Sequence, residues 1–194
     1  GEGPRHRSWL NEARPAEAAY VTAMGGHRLS SRPQDALRWL AISESAAEAL
    51  ERATNDLHPL FLHATDYVLE HPELLERFRL PQAIWPRLRA SWDNRRNETI
   101  TGRFDFAMTA AGPKVYEYNC DSASCHLETG PVQGRWAAHH GVREGRDAGA
   151  TLFEDLVDAW RRAPAHGLLH VLQDDDAEET YHAHFMTEAA AEAG

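Results

Sequence analysis

Apolar residues recur at helical spacing through most of the first half of the chain and begin to alternate only after Thr99. A short helix is expected over Pro15–Ala23, stopped by Gly25-Gly26, after a polar arm formed by the first ten residues. Ser31-Arg32-Pro33 should open a long helical stretch carrying Leu37, Leu40, Ala41, Ala47 and Leu50. A further helix is predicted from Asn55 to Glu70, with Leu57, Leu60, Phe61, Ala64, Val68 and Leu69 on one side and Pro59 in its first turn, where proline is tolerated. Pro72, Pro81 and Pro86 then divide the chain into short helices.

From Ile100 to Met108, and again from Lys114 to Asn119, side chains alternate in character, with Ala110-Ala111-Gly112-Pro113 between. That is the signature of a β-hairpin. Helix resumes from about Glu128 to His140. A polar loop comes next over Gly141–Gly149, then a helix over Leu152–Arg162. Leu168–Leu172 reads as a short buried strand, and the chain from Asp175 onward as helix, with Asp175 and Glu178 spaced as a capping box. The fold class is α/β (α+β): a mainly helical region, 1–97, ahead of a mixed strand and helix region, 98–194.

Composition narrows the class. The chain has 194 residues, 42% hydrophobic and 26% charged, with no stretch long enough to span a bilayer. Thirty acids against twenty bases give a formal net charge of −10, which argues against a nucleic-acid partner. Cys120 and Cys125 are too few for a disulfide framework, and no signal segment opens the chain, so a reducing cytoplasm is the expected setting. With no initiating Met and a helical last stretch, both ends look cut, and a fragment of a longer protein is expected.

On the hairpin, alternation puts Arg103 and Asp105 on one face and Phe104, Phe106 and Met108 on the other. Glu117 and Asn119 share a face of the second strand, and Tyr116 and Tyr118 the opposite one. If the strands pair with their faces matched, paired residue numbers sum to an even total such as 222 or 224, so Asp105 lies across from Glu117 or Asn119. Magnesium takes hard oxygen ligands, and a guanidinium suits a phosphate oxygen, so this face could serve ATP chemistry; it could equally be an ordinary exposed hairpin face. Downstream, Cys120-Asp121-Ser122-Ala123-Ser124-Cys125-His126 leads into a helix, where hydroxyls and backbone N–H groups suit an anion or simply cap the helix.

Other constellations are weaker. Cys120, Cys125 and His126 lack the paired spacing of a zinc site, and Cys125 beside His126 is a poor nucleophile–base pair. His182 and His184 point to different sides of a helix, and Trp85, Trp92, Trp136 and Trp160 suit packing. Neither a P-loop nor a dinucleotide-binding glycine motif is present.

GRFDF, KVYEYNCDSASCHLETG and QGRWA together resemble the synthetase domain of glutathionylspermidine synthases, enzymes with a modified ATP-grasp fold. NDLHPLFLHATDYVLEHPELLERF, IWPRLRASW and HVLQDDDAEETYHAHFMTEAAAEAG are similar to the same family in the same order. The resemblance implies an ATP-dependent ligase that joins glutathione to spermidine through an acyl phosphate, with Mg2+ as cofactor. It assigns Arg103 to the ATP phosphate, Asp105, Glu117 and Asn119 to the metal, Asp105 also to the nucleotide site, Ser122 and Ser124 to glutathione, and Glu178 and Glu179 to the peptide and polyamine substrates. It also implies that the ATP-grasp lobe belongs beyond Gly194, that this chain alone does not turn over, and that a homodimer is compatible with it. A related ligase with another amine, or a non-catalytic glutathione-binding module, are the alternatives.

Overall fold

A computed structural model describes residues 9–24, 39–94, 100–120, 124–163 and 167–194. The described chain is largely helical with one two-stranded antiparallel sheet, the α+β class expected. Contacts divide it into two units: Ile42–Asn119, and a second made of Gly1–Ala41 together with Cys120–Gly194. The expected N-terminal arm, the Gly25-Gly26 stop and the Ser31-Arg32-Pro33 helix start lie outside the described residues, apart from Trp9 and Leu10.

The first unit is built on α2, Glu44–Glu70. It starts later than expected, because the Ser43 hydroxyl accepts the Ala46 N–H at 3.1 Å and fixes the N-terminus there. Leu40 and Ala41 therefore precede the helix. Pro59 is also not in a first turn: α2 runs unbroken from Glu44, so Pro59 is interior. Its ring removes one N–H, and Asn55 and Pro59 both sit on the exposed side, where water can satisfy the orphaned carbonyl. α2 ends at His71. Beyond it come the short helix α3, Pro72–Leu75, two 3-10 turns and α4, Trp85–Asp93, with the Trp92 indole donating to Asp66 of α2.

The hairpin pairs β1, Gly102–Thr109, with β2, Gly112–Cys120. Gly112 sits at φ 93°, a left-handed position that a turn closed by glycine requires. Phe104 stacks on Tyr118 with centroids 3.9 Å apart and planes within 5°, so these residues share a face and the pairing sum is even. The stack fits the register in which 104 faces 118, which puts Asp105 across from Glu117 and Arg103 across from Asn119. The aromatic face meets Phe61 of α2, 5.1 Å from Tyr118 and 5.9 Å from Phe104, and His58 of α2 shares a 2.7 Å hydrogen bond with the Tyr118 hydroxyl. A Cβ on Gly102 would stand 2.8 Å from the Tyr118 ring, which explains a glycine at the start of β1.

In the second unit α1, Pro15–Met24, and α6, Leu152–Arg162, both pack on α7, Ala177–Ala193. Tyr20, Leu156, Val157, Tyr181, Phe185 and Ala189 form their common core. The Asp176 carboxylate caps α7 by accepting the Glu178 N–H at 2.8 Å. The cap is thus one residue later than the expected Asp175, and the capping-box position passes from Glu178 to Glu179. The expected helix over Glu128–His140 splits into a wide turn, Glu128–Val132, and α5, Gln133–His139. Gly130 leaves helical backbone at ψ −112°, because the residue before Pro131 is excluded from it. The 141–149 loop folds back onto this turn so closely that a Cβ on Gly149 would lie 1.6 Å from the Thr129 carbonyl oxygen.

Leu168–Leu172 is neither buried nor a strand. The sole sheet among the described residues is the β1–β2 hairpin, so this run has no neighbour to complete a ladder.

Candidate functional site

The polar face of the hairpin carries Arg103, Asp105, Glu117 and Asn119. Arg103 grips Asp105 in a fork, Nε to Oδ1 at 2.9 Å and Nη2 to Oδ2 at 3.3 Å, with both side chains about one-third exposed or more. On the facing strand the Asn119 amide donates to Glu117 Oε1 at 2.6 Å. Two carboxylates and an amide oxygen therefore stand on one accessible face, with the aromatics packed behind them. The donor set fits a hard divalent cation that keeps waters and substrate phosphates as its remaining ligands. It contains only two carboxylates, and no cluster of three or more His, Cys, Asp or Glu side chains with metal-binding geometry occurs among the described residues. Cys120 is exposed and Cys125 half-buried.

In the second unit Ser124 leads into the wide turn, while Ser122 lies outside the described residues. Ser124 Oγ and Cys125 Sγ are 3.6 Å apart, and Cys125 holds a left-handed φ of 71°, an uncommon conformation for a residue with a side chain. Glu178 and Glu179 lie exposed in the first turn of α7. One turn further on, the Tyr181 hydroxyl donates to Glu128 Oε1 at 2.6 Å. Burial, that hydrogen bond, and the nearby Glu128, Glu178 and Cys125 all push the Tyr181 phenol well above its usual range. Tyr20, packed edge-on to Tyr181 at 5.2 Å, is raised by burial and by Glu128. Tyr181 thus ties α7 to the wide turn at Glu128. The second oxygen of Glu128 is buried and has no partner among the described residues. Sequence reasoning missed both Glu128 and Tyr181, which are 53 positions apart in no shared motif.

A buried frame holds α1 to these elements. Glu17, 1% exposed, takes both oxygens to Arg135 Nη1 of α5 at 2.5 and 2.6 Å, and also accepts the Asn11 N–H. Glu188 of α7 accepts Arg14 Nε and the Ala16 N–H, each at 2.8 Å, and the Arg14 guanidinium lies 4.5 Å from the centre of the Phe153 ring. No described helix is long and apolar enough to cross a membrane.

The family model for the glutathionylspermidine synthase preATP-grasp region matches residues 9–194. A bifunctional glutathionylspermidine synthetase/amidase from Escherichia coli K12 is 46% identical over 186 residues, covering 96% of this chain and 29% of the relative. A trypanothione synthetase from Crithidia fasciculata is 36% identical over 193 residues, again 96% of this chain and 29% of the relative. A glutathionylspermidine synthase from the same organism is 38% identical over 156 residues, 75% of this chain and 21% of the relative. The chain therefore spans under a third of the length of these relatives.

Proposed function

The chain belongs to the glutathionylspermidine synthase preATP-grasp family, and from that membership we propose that it carries the metal- and substrate-binding part of an ATP-dependent ligase joining glutathione to spermidine. The observation that carries this is the polar hairpin face, where Arg103, Asp105, Glu117 and Asn119 share one side of a sheet whose other side carries the Phe104–Tyr118 stack against Phe61. Each residue there has a task in phosphoryl transfer.

Asp105, Glu117 and Asn119 would hold Mg2+, with ATP as co-substrate. Bound there, the ion neutralises phosphate charge and fixes phosphate geometry. Arg103 holds Asp105 in the free protein. Arg103 would offer its planar donors to the transferring phosphoryl group, where a fixed positive charge stabilises the transition state. Glutathione's glycine carboxylate takes the γ-phosphoryl group, giving ADP and an acyl phosphate. The polyamine nitrogen then attacks the acyl carbon, loses its proton, and phosphate leaves as the amide forms. Ser122 and Ser124 would hold the carboxylate end by hydrogen bonds, and Glu178 and Glu179 would attract the ammonium groups. Because the attacking nitrogen must be unprotonated, these acids contribute binding rather than nucleophilicity.

The test is a titration monitored through backbone amide resonances. Mg2+ should shift residues 103–119, and Asp105→Ala should abolish that shift while leaving the aromatic contacts of Phe104 and Tyr118 intact. Glutathione should shift residues 124–128 and 178–181, and Ser124→Ala should weaken it. A magnesium response that persists in Asp105→Ala refutes the metal assignment. In a chain joined to the remainder of the E. coli relative, Asp105→Ala should lower ADP release at least about 100-fold, or about 2.7 kcal/mol.

A further inference from the structure

Arg14, which precedes α1, and Arg135 of α5 line a cleft of about 380 Å³ together with Asp147 of the 141–149 loop and Phe153 and Glu154 of α6. All belong to one unit, and neither Ser124 nor Glu178 or Glu179 lines the cleft. Neither arginine is spent by its ion pair. Arg14 gives Nε to Glu188 and Arg135 gives Nη1 to Glu17, while about a third of each side chain stays exposed. A guanidinium has five N–H donors in a fixed plane. Nη1 and Nη2 of Arg14, and Nε and Nη2 of Arg135, form no hydrogen bond among the described residues.

The acids of the cleft are likewise committed to no cation. Asp147 Oδ1 accepts the Gly149 N–H at 3.0 Å and the Gln133 side-chain amide at 3.2 Å, both neutral donors. They pin the carboxylate and leave its charge unbalanced. A Cβ on Gly134 would lie 2.0 Å from Asp147 Oδ2, so a glycine is what lets this carboxylate close against α5. Glu154 is exposed and has no hydrogen bond or ion pair among the described residues. Two spare guanidinium edges and two unbalanced carboxylates therefore share one cleft, and no ion pair among the described residues joins them across it. An anion alone would meet Asp147 and Glu154, and a cation alone the two guanidiniums. A ligand carrying both signs on neighbouring atoms satisfies all four. The remaining wall, Pro131, Gly134, Ala138, Gly149, Ala150 and Phe153, adds no polar side chain. We propose that this cleft binds the head group of an α-amino acid, its carboxylate on Arg14 and Arg135 and its ammonium on Asp147 and Glu154. A free amino acid and the γ-glutamyl end of a peptide both carry that head group. The inference stands apart from the hairpin face and from the ligase reading.

Titrations followed through backbone amide resonances test it, with glycine carrying both charges and acetate and methylammonium one each. Glycine should give saturable shifts at 134–138 and 147–154, and acetate and methylammonium should each bind at least about tenfold more weakly. Glu154→Gln changes an exposed, unpaired side chain, so the fold is kept. It should weaken glycine at least about fivefold and leave acetate no weaker than before. Arg14→Lys can keep the ion pair with Glu188 but loses the spare planar donors, and should weaken glycine and acetate alike. Acetate as tight as glycine would make the cleft a plain anion site and overturns the proposal. So does methylammonium as tight as glycine, or the absence of saturable shifts with glycine. Glutathione separates the two sources of the head group. Shifts at 134–138 and 147–154 with glutathione, lost in Glu154→Gln, make a peptide the source; with glycine binding and no such shifts, the source is a free amino acid.

Discussion

Glu17 and Arg135 illustrate how unequal the two ends of an ion pair can be. Glu17 is 1% exposed, while about a third of the Arg135 side chain reaches water. Removing Arg135 strands a carboxylate in the interior, whereas neutralising Glu17 leaves a guanidinium that water can still serve. Arg135→Met should therefore cost about 3–5 kcal/mol, and Glu17→Gln distinctly less, measured as the shift in urea-unfolding free energy. Tyr181 makes a related point about protons. Its phenol is held neutral well above the usual range, so the stability it contributes is full below the unfolded-state pKa of about 10 and declines as pH rises above that toward the folded-state value. Unfolding midpoints should drop as pH is raised from about 9 to about 11. The drop should be smaller in Tyr181→Phe, which leaves only the raised Tyr20 to contribute. Neither pair is legible in the sequence: 118 and 53 positions separate the partners, and only the packing of α1, α5 and α7 brings them together. The hairpin residues are legible, because strand alternation alone sorts Arg103, Asp105, Glu117 and Asn119 to one face.

Among the elements, those fixed by local signals are readable. Leu152–Arg162 begins and ends where its periodicity does, and the hairpin turns at the glycine its geometry requires. Elements whose limits depend on competition between signals are not. Pro59 reads as a helix start, yet the apolar spacing on its N-terminal side keeps phase with the spacing beyond it, and α2 runs through. An interior proline costs a helix up to about 3 kcal/mol relative to alanine. Pro59→Ala should therefore stabilise α2 by about 1–3 kcal/mol, visible as slower amide exchange across 50–66 with no change in α7. Leu168–Leu172 departs from its expected burial for another reason: strand propensity describes a chain that has a neighbour, and the ladder that would bury this run is not formed among the described residues.

At the scale of the molecule, burial is distributed unevenly. Among the described residues, ten of the eleven buried hydrophobic side chains belong to the unit containing α1, α5, α6 and α7, and only Leu75 to the unit of Ile42–Asn119. A 27-residue helix with no fully buried residue gains little from packing. On heating, exchange protection in 44–93 should therefore be lost before that in 152–162 and 177–193, and a single cooperative transition for all three segments would contradict this. The well-packed unit has a further consequence, set by its split along the sequence. α1 leaves the ribosome well ahead of α7, against which Ala16 and Tyr20 are buried. At about 5–20 residues per second, the roughly 150 residues between them take on the order of ten seconds or more to synthesise. Throughout that interval the nascent chain presents the apolar side of α1 to chaperones, while the hairpin unit has all of its sequence in hand long before α7 emerges.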